Sequence, residues 1–377
     1  MSSADSSYTT TPYLHGQHDE ILDCPAEGQP LRVIHAGPSL LRGGAEQWLV
    51  DLLRFLDPLR VRVLRTVLTT AEYLDPALAA SLPIPVEVGQ APALRRAAEE
   101  CDVLLFWGLP LDDYLADVRP KLVVYVAHGE GDWTRAMLER SKRSVDHAVA
   151  VSEQVRRRVC HDVASTVILN GVDSSRLGRT RTRQAVRESL GFRQDDFVLG
   201  FLGRFSPEKR GRVLIESVSR LPREFKLLMV GWGAQRQNLM DLANQCIPGR
   251  YAFANGCSYL GDYYQAMDAF CLVSSEEGFS LALIEAMLCG CPVIATPVGC
   301  VREVVRNRIN GVIVEGTAES VADAARLMQE HPGWRRGLAC EGQAYAEQTG
   351  HARRMAGDYE NLLWRLWNEK HPPAIGC

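Results

Sequence analysis

Short, nearly continuous apolar runs alternate along this chain with longer stretches in which apolar residues return every three or four positions. The runs at residues 31–35, 62–68, 86–88, 102–107, 121–127 and 147–151 read as buried strands, and a second series follows at 197–202, 226–231, 270–273 and 293–296, with 251–256 and 260–269 lying between. The intervening stretches are amphipathic. Residues 45–56 place Trp48, Leu49, Leu52, Leu53 and Leu56 on one helical face, and Leu281, Leu283, Ile284, Met287 and Leu288 recur at helical spacings before Gly290, a natural C-cap, and Pro292. Near the C-terminus, Tyr359, Leu362, Leu363, Leu366 and Trp367 share another such face. Alternating strands and helices predict α/β architecture with doubly wound parallel sheets, which bind ligands beyond the carboxyl ends of their strands.

The rhythm breaks at residues 174–193, which are polar and Arg-rich, and the interdomain linker is expected there. The resulting division is a tail over 1–30 expected to be disordered, a Rossmann-like domain over 31–175, a second over 191–355, and a last helical segment over 356–377. A length of 377 residues, 46% hydrophobic and 23% charged, suits two globular domains. A net charge of −4 gives no reason to expect nucleic acid as partner. The longest apolar runs, 122–127 and 197–202, are strand-sized and far short of a membrane span. Residues 1–30 are Ser/Thr-rich and lack the apolar core of a signal peptide. Of the 11 cysteines, Cys101, Cys271 and Cys289 sit inside apolar segments as small hydrophobes, and Cys289-x-Cys291 has no matching second pair for zinc. A reducing cytoplasm is the simplest expectation.

The richest chemistry lies in residues 276–296. Glu277 and Glu285 stand eight apart, and the helix expected from Leu281 would aim the amides of Phe279, Ser280 and Leu281 at an anion, for which phosphate is suited. Two carboxylates flanking a phosphate describe a nucleotide-sugar, although two glutamates in isolation are more often solvated on a surface helix. Gly43-Gly44 follows the first strand and opens a helix, in neither a GxGxxG nor a Walker loop. His128 ends the run LVVYVA, where a doubly wound sheet would meet its ligand. Arg204 and Lys209 follow the strand at 197–202, one a planar fork for phosphate and the other a compact charge. The basic stretches 133–144 and 154–159 could rest on anionic lipid, but a solvated helix surface is the favoured reading. No Asp-x-Asp and no cluster with metal-ligand spacing occurs, so no metal is expected.

The segment EGFSLALIEAMLCGCPVIAT resembles the E-x7-E region of retaining glycosyltransferases of glycosyltransferase family 4, which have the GT-B fold; GGAE, VAHG, NGVD and GRFSPEK are similar to further motifs of that family. Ser280 stands where glycine is usual, Ala282 where proline is common, and Cys300 replaces a usual glycine. The resemblance implies two Rossmann-like domains facing a cleft, acceptor bound by the first and donor by the second, with the final helix crossing back onto the first. It implies donor-sugar contacts from Glu277 and His128, ribose contact from Glu285, and diphosphate contacts from Gly44, Arg204, Lys209 and the amides of Phe279, Ser280 and Leu281. Gly231, Phe253 and Ala254 would lie near the base, and Gly43, Glu130 and Asp132 are candidate acceptor contacts. The implied activity is metal-independent, retaining transfer of a hexose-type sugar from a nucleoside-diphosphate sugar, with UDP ahead of GDP, to a hydroxyl acceptor, and no cofactor. An epimerase or sugar-phosphate-forming enzyme on the same architecture, and a catalytically silent sugar-nucleotide-binding protein, are the rival expectations.

Overall fold

The computed structural model describes residues 28–115, 118–256 and 259–372; most of the expected tail and residues 373–377 of the last segment lie outside them. Seven parallel strands form the first sheet: β1 (Leu31–Gly37), β2 (Val61–Leu68), β3 (Val86–Val88), β4 (Val103–Phe106), β5 (Leu122–Ala127), β6 (His147–Ala150) and β7 (Ser165–Val167), in the order β3-β2-β1-β4-β5-β6-β7. Six more form the second: β8 (Phe197–Leu202), β9 (Phe225–Val230), β10 (Tyr251–Ala254), β11 (Ala269–Leu272), β12 (Val293–Ala295) and β13 (Val312–Ile313), ordered β10-β9-β8-β11-β12-β13. Both are doubly wound, as expected. In each sheet the strand order reverses beside the first strand, between β1 and β4 and between β8 and β11, and loops after those strands flank a ligand crevice.

Strands β4, β5 and β6 are buried at every position, which is why their sequences are continuous apolar runs rather than alternating ones. β7 and β13 went unrecognised because Ser165-Thr166-Val167 is only half-buried and β13 is two residues long. The helix Ala352–Lys370 packs its stripe, from Met355 to Trp367, into the core of the first sheet, as the sequence implied. Burying such large side chains stabilises that return by about 1.5–3 kcal/mol each. Where the chain passes between the two halves, Val172 and His351 form a parallel bridge, with Val172 N–H donating to Gly350 O at 2.8 Å and Ala352 N–H to Val172 O at 3.1 Å.

The stretch 174–193, expected to be a linker, instead folds against the second sheet as the 3-10 turn Ser174–Leu177 and the helix Arg183–Ser189. Its arginines misled the expectation because they are satisfied internally. Arg187 is fully buried, donating to Asp268 Oδ2 at 2.6 Å and to the carbonyls of Ala266 and Asp196. Thr180 and Arg181 bond Asp262 in the same way. Among the described residues, no helix is long and apolar enough to cross a membrane.

Candidate functional site

Leu281–Leu288 is helical, with Ser280 at its N-cap in extended conformation, its Oγ accepting from Leu283 N–H at 3.3 Å. The N–H groups of Phe279, Leu281 and Ala282 donate to no backbone or side-chain oxygen among the described residues, which leaves the start of this helix as a set of free donors. Ser280's amide lies against the Cys300 sulfur, whose thiol is pushed up to about 12 chiefly by burial. Directly before the helix, Glu277 is buried and its Oε1 accepts from Lys209 Nζ at 2.5 Å and Ser274 Oγ at 2.7 Å. Lys209 ends the 3-10 turn Pro207–Lys209 behind β8, and Ser275 N–H bonds Glu208 O at 2.9 Å, so the loops after β8 and β11 are tied at the second sheet's crevice. Arg204 is exposed on the same loop and 3.3 Å from Glu208.

His128 lies at the end of β5 against Trp48 and Trp107, ring centroids 4.7 and 5.5 Å away. The residue is half-buried, yet its Nε2 is enclosed without a partner, and burial, then the nearby His35, lowers its pKa to about 3. His128 is therefore a neutral imidazole at any physiological pH. His35, at the first crevice, is likewise lowered to about 3 by burial, with Nδ1 2.6 Å from Thr66 Oγ1. The two halves meet at this point: a Cβ on Gly278 would stand 1.8 Å from the His128 carbonyl oxygen. Only glycine permits that approach.

Glu130, expected to face an acceptor, is instead buried between the halves. Its Oε1 accepts from Glu277 N–H at 3.2 Å, and its Oε2 is bonded by Gln154 and lies 3.1 Å from Arg158. The opposing loop, at Glu277, covers it. Asp132 is exposed and paired with Arg135 at 2.6 Å. Gly43 caps the helix Gly44–Phe55, and Gly44 has open space on its side-chain side.

Glu285 is buried one turn into its helix, with Oε1 2.7 Å from Arg176 and Oε2 accepting from Tyr264 OH at 2.8 Å. Arg176 also lies 3.5 Å from Asp51, whose pKa burial raises to about 6 against the opposing pull of that arginine. At the other end of the crevice, Gly231 sits so close to the loop after β8 that a Cβ would be 1.9 Å from Gly203 O. Arg236 covers the Phe205 and Phe253 rings at 5.9 and 5.6 Å and donates to Gly231 O at 3.2 Å, while Ala254 ends β10. Sequence reasoning missed Trp107, Arg176, Ser274 and Arg236. Trp107 could have been found by the rule that singled out His128, since it too follows a strand's carboxyl end. Among the described residues no group of three or more His, Cys, Asp or Glu is arranged to hold a metal ion.

The architecture is that of the GT-B fold. The Anabaena protein HepE, solved in complex with UDP and glucose, superposes with a TM-score of 0.78 at 21% identity, covering 89% of this chain and 100% of that one. A glycosyltransferase from Rickettsia africae superposes with a TM-score of 0.77 at 18% identity over 92% of this chain and 100% of its own. Residues 182–342 match the family model described as glycosyl transferases group 1. A D-inositol 3-phosphate glycosyltransferase of Xylanimonas cellulosilytica is 34% identical over 176 residues, 45% of this chain and 42% of that protein. One from Rhodococcus jostii is 33% identical over 263 residues, 64% and 58% of the respective lengths. The chain spans about half the length of the curated relatives it matches.

Proposed function

We propose that this protein is a retaining glycosyltransferase that moves a hexose-type sugar from a UDP-sugar to a hydroxyl acceptor across the cleft between its two halves. The observation that carries the reading is the contact of Lys209 with Glu277 immediately before a helix whose first amides are free. Those amides, the Lys209 ammonium and the Arg204 guanidinium offer positive charge where a departing diphosphate gathers negative charge, which is why metal independence is part of the proposal. Glu277 and neutral His128 would orient the donor sugar from opposite sides. The acceptor proton would pass to the departing phosphate oxygen on the same face of the sugar, giving retention. Glu285 would reach ribose by exchanging part of its bonding to Arg176 or Tyr264 for a hydroxyl. Gly231, Phe253 and Ala254, with Arg236 beside them, would border the base. UDP is favoured because the similar fold of HepE was solved with it.

The test is incubation with a panel of UDP- and GDP-sugars, with and without EDTA, following donor hydrolysis and transfer by mass. Slow hydrolysis of a UDP-sugar that survives EDTA and is lost in Glu277→Gln and Arg204→Ala is expected. Tight binding without any turnover would point to a silent nucleotide-sugar-binding protein, interconversion of free donors to an epimerase, and loss of activity in EDTA would refute metal independence.

A further inference from the structure

The lip of the first sheet carries an aromatic surface that the donor side does not use. Trp107, just past β4, lies over Gly37 at the end of β1, its Nε1 2.8 Å from where a Cβ on residue 37 would stand. Trp133 lies over Gly108, its Cη2 2.7 Å from the corresponding Cβ position, with Pro38 Cγ at 3.0 Å. The two indoles meet edge to face at 6.5 Å, and Trp107 in turn meets His128 at 5.5 Å. Trp133 is 52% exposed and Tyr73, on the adjoining loop through its carbonyl bond to Leu40 N–H, is 45% exposed. The wall thus runs from solvent to the imidazole whose backbone touches the Glu277 loop, and it stands at the β1/β4 reversal where this sheet takes a ligand.

Charge narrows what that ligand is. Across the lip loops, residues 37–44, 69–75, 107–111 and 128–132, the single cation is Arg42, held by Asp75 at 3.0 Å; Glu130 is taken up by the Glu277 loop and Gln154, and Glu72, next to Tyr73, is an exposed carboxylate. Arg135, just inside the next helix, is paired with Asp132. A phosphorylated or carboxylated acceptor requires Arg or Lys forks, and none stands unpaired here. A sugar ring offers an apolar C–H face to an indole and hydroxyl donors to a carboxylate, and the exposed Trp133 and Glu72 supply both.

We propose that Trp107 and Trp133 form the acceptor subsite and that the acceptor is an uncharged sugar stacked on Trp133 with one hydroxyl turned toward His128. The proposal rests on the glycosyl-transfer reading. In that step the acceptor oxygen bonds the donor anomeric carbon, the carbon–oxygen bond to diphosphate breaks with its electron pair leaving on UDP, and the hydroxyl proton goes to the departing phosphate oxygen.

Two measurements test it. Tryptophan fluorescence of the UDP-bound protein, titrated with neutral mono- and disaccharides, reads the subsite without chemistry; saturable quenching is expected in wild type and in Trp133→Phe, and its loss in Trp133→Ala. Transfer assays then compare neutral sugars, the same sugars as 6-phosphates, and simple phenols. Neutral sugars should be preferred, and Trp133→Ala should raise their KM about fivefold, with UDP affinity within twofold of wild type. Preference for the phosphates, turnover of phenols alone, or an unaltered KM and quench in Trp133→Ala would overturn the proposal. Absence of turnover with every donor would sink the transferase reading instead, and the fluorescence titration would still decide the subsite.

Discussion

Gly278→Ala isolates the join between the halves. The added carbon would sit 1.8 Å from His128 O, 2.7 Å from its carbonyl carbon and 3.0 Å from Gly129 Cα, all backbone atoms of the opposite half. Side-chain carbons do not approach closer than about 3.0 Å, so the loops must part by about 1.2 Å, and neither offers a flexible side chain to yield instead. A shift of about 1 Å between reacting groups costs on the order of a hundredfold in rate. Transfer kcat/KM should therefore fall about 100-fold, while UDP affinity, which the proposed function assigns to the second sheet, stays within threefold and circular dichroism is unaltered. Steady-state kinetics and calorimetric UDP titration measure the two sides of that contrast. A variant retaining more than a third of wild-type kcat/KM, or losing UDP binding in parallel with rate, would refute the reasoning.

Lys209→Ala should lower turnover by about 30- to 1,000-fold, the 2–4 kcal/mol of a charged hydrogen bond at the transition state, and a loss under threefold in single-turnover rate would count against the diphosphate role. Glu130→Ala removes the acceptor of Glu277 N–H and should reduce transfer about tenfold or more, whereas Glu130→Gln keeps an acceptor oxygen and should recover most of it; equal losses would argue that charge, not the latch to Glu277, matters. For His35, the folded pKa of about 3 lies below the unfolded value of 6.5, so the stability tied to its neutral form is complete above pH 6.5 and is lost as pH falls toward 3. Urea unfolding should show the gap between wild type and His35→Asn shifting by about 1.4 kcal/mol per pH unit between pH 6 and 4, and a gap constant with pH would contradict it.

The doubly wound architecture was legible because its central strands are buried on both faces and so appear as unbroken apolar runs, and the last helix because of its apolar stripe at residues 359–367, whose return onto the first sheet was implied only by the family resemblance. What the rhythm could not convey was which charges are internal. Arg187 and Asp268 are 81 residues apart, and only folding turns a polar stretch into a buried pair. The same holds at the candidate site. Glu277 and Lys209, 68 residues apart, meet because β8 and β11 are neighbours, a fact of topology. Glu130 was named only as a candidate acceptor contact because sequence displays the loop it belongs to and conceals the loop that covers it, 147 positions later.

The bridge between Val172 and His351 fixes where the two halves are fastened. Both passages of the chain run side by side there, stitched by two backbone hydrogen bonds, so the molecule has a single selvedge instead of two separated straps. Elsewhere the faces are held by side chains, Glu130 accepting from Glu277 N–H and Arg176 lying between Asp51 and Glu285, so parting the halves would break these contacts while the crossing segments stay joined. The line about which the halves would turn is thereby set at residues 172 and 351, where both passages of the backbone are joined.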